Sequence, residues 1–94
     1  MEASVLIQKE EVAHLRFPDE EVLDQEDERK ALRRKLEQAT ALGNTDHGKI
    51  KIYFRDNEGV KKVETTIWAT GDKNIVLKQG ITIPIKRIID VELL

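Results

Sequence analysis

The sequence predicts an α+β domain: an N-terminal amphipathic helix followed by a small five-stranded antiparallel barrel. Three observations carry that expectation. Leu32, Leu36, Ala39 and Leu42 recur at three- and four-residue spacings, which lays one apolar stripe along a helix. From Lys49 onward, short runs alternate apolar and polar residues with the period of two of a half-buried strand. Turn chemistry closes these runs at Asp56-Asn57-Glu58-Gly59, Gly71-Asp72-Lys73-Asn74 and Gln79-Gly80.

The 94 residues make one domain at most, with too small a core for a deep active-site cavity. With no cysteine there is no disulfide framework, thiolate zinc site or thiol nucleophile, which fits a reducing cytoplasm. The opening MEASVLIQKEEVAHL lacks the basic and long apolar regions of a signal peptide. No apolar stretch approaches the roughly 20 residues of a membrane helix. The chain is therefore expected to be soluble and cytoplasmic, with no membrane partner.

Charge divides the chain. Ten acids against Lys9 and Arg16 give residues 1–28 a net charge of −8, which leaves +6 for the remainder of a chain whose total is −2. Residues 1–24 are expected to be an acidic, flexible leader, and residues 25–94 the helix plus the small β-barrel. Such a split also suggests an arm that folds back on a basic face and mimics a polyanion.

The helix has its own punctuation. Asp24 is placed to cap it, and Glu26, Asp27 and Glu28 load the first turn with the charge that the helix dipole favours. Gly43-Asn44 reads as its stop, after about four turns. Arg29, Lys30, Arg33, Arg34 and Lys35 occupy its remaining surface.

In KIKIYFR (49–55), Ile50, Ile52 and Phe54 share one face, and in VKKVETTIWAT (60–70) Val63, Thr65, Ile67 and Ala69 do the same. A symmetric hairpin then sets Ile52 against Val63 and Ile50 against Thr65 inside, with Lys51 against Glu64 outside. IVLK (75–78) follows as a short strand. ITIPIKRIIDVELL (81–94) reads as two strands, 81–86 and 89–93, meeting at a bend around Lys86-Arg87-Ile88. Pro84 belongs where no donor is needed. The odd positions of that run form an apolar face broken only by Arg87, and Ile88 falls on the polar side.

The order of one helix and five strands resembles SH3-like barrels and, more particularly, the Sm-like fold, whose members pair strand edges into rings and bind RNA. The sequence motifs of that fold are absent, so RNA binding is not carried over. The stretches ALGN (41–44), KIKIYF (49–54), VETTIWAT (63–70), NIVLKQG (74–80) and ITIPIKRIIDVEL (81–93) are also similar to a family of small uncharacterised proteins from Bacteroidetes-type bacteria. VETTIWAT and IPI-x-RI-x-x-V are its most distinctive words. The likeness spans about residues 29–93 and implies a domain boundary but no activity.

The catalytic inventory is sparse. His14, His47 and Ser4 assemble no triad, the five glycines fall at turns or at the helix stop, and Asp46-His47 is too small a set for a metal site. No enzyme, catalytic residue, metal or cofactor is expected. What remains is a candidate ligand or nucleic-acid face: Lys49, Lys51, Tyr53, Arg55, Lys62 and Trp68, with Arg33 and Arg34 from the helix. Aromatic rings among bases suit single-stranded nucleic acid. The competing reading buries Trp68 beneath the helix stripe. A non-enzymatic module that binds a protein partner or a second copy through a barrel edge, with VELL as the candidate strand and Ile88 and Leu94 covered by the partner, is the leading expectation. Binding of single-stranded RNA through the hairpin face is the alternative.

Overall fold

The computed structural model describes residues 4–46 and 48–94. In chain order it contains β1 (Val5–Ile7), α1 (Lys9–Val12), α2 (Glu26–Asp46), β2 (Ile50–Arg55), β3 (Val60–Thr65), β4 (Ile67–Thr70), β5 (Asn74–Leu77), β6 (Thr82–Pro84) and β7 (Ile88–Leu93). Short 3-10 turns occupy Lys78–Gly80 and Ile85–Arg87. The first sheet has the order β1-β3-β2-β7, with β1 parallel to β3; the second has the order β4-β5-β6.

This corrects the expected architecture. The long helix lies inside the chain, after a strand and a short helix, and seven strands in two open sheets replace a closed five-stranded barrel. The SH3-like and Sm-like description does not hold. One reason is that the run 60–70 is two strands, because the chain passes from the first sheet into the second at Thr66. The other is α2, which lies along β4 where a closing strand would have to pair. Thr40 Oγ1 meets Thr70 Oγ1 at 2.6 Å, and Arg33 Nη2 donates to Gly71 O at 2.8 Å. Gly43 approaches Ile67 so closely that a Cβ there would strike the Ile67 carbonyl oxygen and sit 2.9 Å from Thr66 Cγ2. Gly43 is therefore a close-approach glycine and not the helix stop, and α2 continues to Asp46.

Within β2 and β3 the alternation holds, but it breaks at the corner and in β4, where Thr66 is buried and Ala69, expected inside with Ile67, is exposed. Ile50 pairs with Thr65, Lys51 with Glu64 and Ile52 with Val63. Ile50, Ile52, Phe54 and Val63 are buried beneath Leu32, Leu36 and Ala39 of α2, together with Ile67, Ile75, Leu77, Ile83 and Ile88. Each such side chain contributes about 2 kcal/mol by leaving water, so this cluster is what the strand and helix patterns exist to form. Ile88, expected on the polar face, is buried; the 3-10 turn changes the phase of the run, and Ile89 becomes the extra residue between the Asp90–Tyr53 and Ile88–Phe54 pairs.

The helix start also differs in detail. α2 begins at Glu26, and Gln25 rather than Asp24 accepts the first amide, from Arg29 at 3.1 Å. Arg29 Nη1 then folds back to the Leu23 and Asp24 carbonyls at 2.9 and 3.0 Å.

The acidic N-terminal segment lies against the domain. Ile7 pairs with Val63, Val12 is buried, and the Phe17 ring packs 5.8 Å from that of Phe54. Backbone bonds run from Asn57 N to Arg16 O and from Val22 N to Lys86 O, both 2.9 Å. These contacts are mainly apolar and main-chain, and the acids Asp19 and Glu21 meet Lys86 and Arg29 rather than the outer hairpin face.

Candidate functional site

The outer face of the first sheet carries Lys51, Tyr53, Arg55 and Lys62, opposite to the buried Ile50, Ile52 and Phe54. Acids interleave with them. Tyr53 lies between Lys62 on β3 and Asp90 on β7, and Lys51 lies between Glu64 and Glu92. Glu64 sits 4.0 Å from Lys51, and Lys35 reaches across from α2 to Asp90 at 2.9 Å. Partial burial raises the pKa of the Tyr53 hydroxyl, and a hydrogen bond with Glu92 and the charges of Asp90 and Glu64 raise it further. Acids thus offset the bases at the centre of this face. A strand pattern shows which residues point outward, but the acids of β7 reach the face only through pairing with β2.

Arg33 belongs elsewhere: besides Gly71 O it faces Glu37 at 3.9 Å and Asp72 at 4.0 Å. Arg34 is exposed on α2.

Lys49 and Trp68 meet at a different place. Thr66, at the corner between β3 and β4, donates from Oγ1 to Gly48 O at 3.2 Å and accepts at its carbonyl from Lys78 N at 3.2 Å. That draws the stretch before β2 and the turn after β5 to the same point. One residue past Ile67, the pairing of β4 with β5 slips: Ile67 faces Leu77, and Ala69 faces Val76. Trp68 is the extra residue, and such a bulge re-aims its side chain. The indole is 46% exposed, not buried under the helix stripe. It borders a recess of about 310 Å³ with Lys9, Lys49, Lys78, Glu64 and Thr66. Lys9 and Lys78 were not legible as members of this site, because nothing in the periodicity relates them to Trp68.

A larger concavity of about 500 Å³ lies between residues 17–23, the start of α2 and the β6–β7 corner. Its floor is apolar, from Phe17, Leu32 and Ile85 among others. The rim charges largely satisfy each other: Lys86 Nζ is 2.8 Å from Asp19, and Arg29 Nε is 3.2 Å from Glu21. It is the seam along which the N-terminal segment docks.

Beside that seam lies Arg87, only 5% exposed. Its guanidinium donates to Arg55 O at 2.9 Å, Glu20 O at 2.7 Å and Asp56 O at 3.5 Å. Asp56 is buried as well, and accepts from Lys61 Nζ at 2.7 Å and from the amides of Glu58 and Gly59 at 2.9 and 3.0 Å. Burial pushes its carboxyl upward, but the hydrogen bonds from Lys61, Glu58 and Gly59 outweigh that and hold its pKa below the ordinary aspartate value. The one charge on the apolar face formed by the odd positions of 81–93 therefore ties three segments together.

Ser4 precedes β1, and His14 is exposed in the turn after α1. His47, half of the Asp46-His47 pair weighed as a metal site, lies outside the described residues. Among the described residues no three histidine, aspartate or glutamate side chains converge on a metal position. No described helix is long and apolar enough to cross a membrane.

No protein-family model, curated protein or solved structure matches the chain. The chemistry of its own surfaces is what bears on function.

Proposed function

We propose that the chain is a non-enzymatic interaction module of the bacterial cytoplasm that associates through the open edge of its first sheet at β1. The observation that carries this is the unequal protection of four strand edges. An edge strand offers unpaired amides and carbonyls to any extended chain unless charge, proline or another element blocks it. The β4 edge lies against α2, and β6 contains Pro84. On β7, Asp90 Oδ1 takes up the Val91 amide at 2.9 Å, and Lys35 covers Asp90. This guard makes VELL the lesser candidate. β1 carries neither charge nor proline, and its Val5 and Leu6 are 55% and 53% exposed.

The partner that fits such an edge most simply is a second copy. A two-fold axis would set β1 against its counterpart antiparallel and continue the sheet across the interface, the self-complementary arrangement common in homodimers. The absence of cysteine supports the cytoplasmic part of the reading. Sedimentation velocity over a concentration series of the full chain tests the association. The expected result is a concentration-dependent dimer that Leu6→Lys abolishes while far-UV circular dichroism stays unchanged. A chain that remains monomeric to millimolar concentration, or a dimer indifferent to Leu6→Lys, overturns it.

A further inference from the structure

We infer that the recess beside Trp68 is a binding site for single-stranded nucleic acid, with one base stacked on the indole and the flanking phosphates held by Lys49 and Lys78. The site adjoins the end of β1 through Gln8 and Lys9 but does not depend on association at the β1 edge. Three observations converge on it. First, the β4 bulge turns Trp68 outward, leaving nearly half of the largest side chain type in water at a point where a regular strand would have continued the sheet. An aromatic face held rigidly in solvent is a platform for a base, since every base offers a π-face of its own.

Second, the cations at this point are available. Lys9, Lys49 and Lys78 line the recess against a single acid, Glu64, on a chain that is net negative overall. Glu64 is already beside Lys51 at 4.0 Å, and Lys9 is engaged with Glu10 at 3.0 Å. Among the described residues Lys49 and Lys78 form no salt bridge, so the recess keeps an excess of positive charge over its one carboxylate. Third, the Thr66 bonds to Gly48 O and from Lys78 N tie down the backbone from which the two lysines extend on either side of the corner. Part of the binding geometry thus exists before any ligand arrives, which lowers the cost of ordering it. The outer hairpin face, where aromatic and basic residues also alternate, lacks this excess of cations, because Glu64, Asp90 and Glu92 balance it.

The test is a titration of the full chain with a short mixed-sequence single-stranded RNA at low salt, read by Trp68 fluorescence. Saturable quenching is expected. With two phosphates neutralised, affinity should fall about sevenfold between roughly 50 and 200 mM salt, from a slope near −0.7 per contact. In anisotropy measurements on labelled RNA, Trp68→Leu should weaken binding about tenfold, the lower part of the range for losing one stacked base. Lys49→Gln with Lys78→Gln should weaken it further and flatten the salt dependence. Absence of quenching at low salt overturns the site. So does polyglutamate quenching as well as RNA, which would make the recess a general acceptor of acidic chains, or RNA binding that survives Trp68→Leu unchanged in a variant with native circular dichroism.

Discussion

Two corners carry the chain from one sheet to the other, and they are built in opposite ways. At Ile85–Arg87, between β6 and β7, the central polar groups are turned inward: Arg87 serves three carbonyls, and Asp56 beside it takes three donors, while Lys86 at the rim pairs with Asp19. At Thr66, between β3 and β4, the backbone is tied just as firmly, but Trp68 and two lysines are left facing water. The topological task is the same. One corner uses its chemistry to join segments, whereas the other keeps chemistry in reserve and can meet a ligand without dismantling the fold.

Substitution should separate the two. The largest effect is expected at the closed corner. Arg87→Leu leaves three carbonyls without their donor, at about 1 kcal/mol each, so urea unfolding should show a loss of about 3 kcal/mol. Because Glu20 O is one of the three, limited proteolysis should also cut residues 18–24 faster in that variant.

Gly43→Ala comes next and sets two effects against each other. In a helix interior alanine is favoured over glycine by about 1 kcal/mol. The added Cβ would strike the Ile67 carbonyl at the open corner, and a backbone that cannot yield makes overpacking cost about 3 kcal/mol. The net expectation is a destabilisation of about 2 kcal/mol. A stabilised variant would show that α2 does not lie along β4 as described.

The pH dependence sharpens the comparison further. Asp56 has a lowered folded-state pKa, so its contribution is complete above its unfolded pKa of about 4 and is lost as pH falls through the folded value. Lys61 is its mirror image: its hydrogen bond to Asp56 raises its pKa, against partial desolvation. Its contribution is whole below about pH 10 and disappears as pH rises through the raised value. Thermal melts of Asp56→Asn should therefore be flatter than wild type at both the acid and the alkaline end. Parallel curves would remove Asp56 and Lys61 from the account of the closed corner.

Much of this fold can be read from residue spacing, because periodicity reports burial within one element. The β2–β3 register follows from Ile50, Ile52 and Val63 together with the turn at residues 56–59, and Leu32, Leu36 and Ala39 of the predicted stripe are buried, whereas Leu42, also assigned to it, is exposed. What spacing does not report is which element lies next to which. Gly43 has the local features of a stop, but contact with Ile67 gives it another task. Thr66 and Trp68 continue the alternation of β3 on paper, yet the corner and the bulge separate them from the hairpin face. The same holds for the candidate site. Lys49 and Trp68 carry a local signal, whereas Lys78 joins them through a single backbone bond to Thr66.

The most direct test of the contrast is to unfold Trp68→Ala and Arg87→Leu in urea side by side, following circular dichroism. A half-exposed tryptophan on a bulge should cost about 1 kcal/mol, through lost strand propensity and partial burial, against about 3 kcal/mol for Arg87. Equal losses, or a greater loss at Trp68, would mean that the indole holds the second corner together as Arg87 holds the first, and that this corner has nothing in reserve.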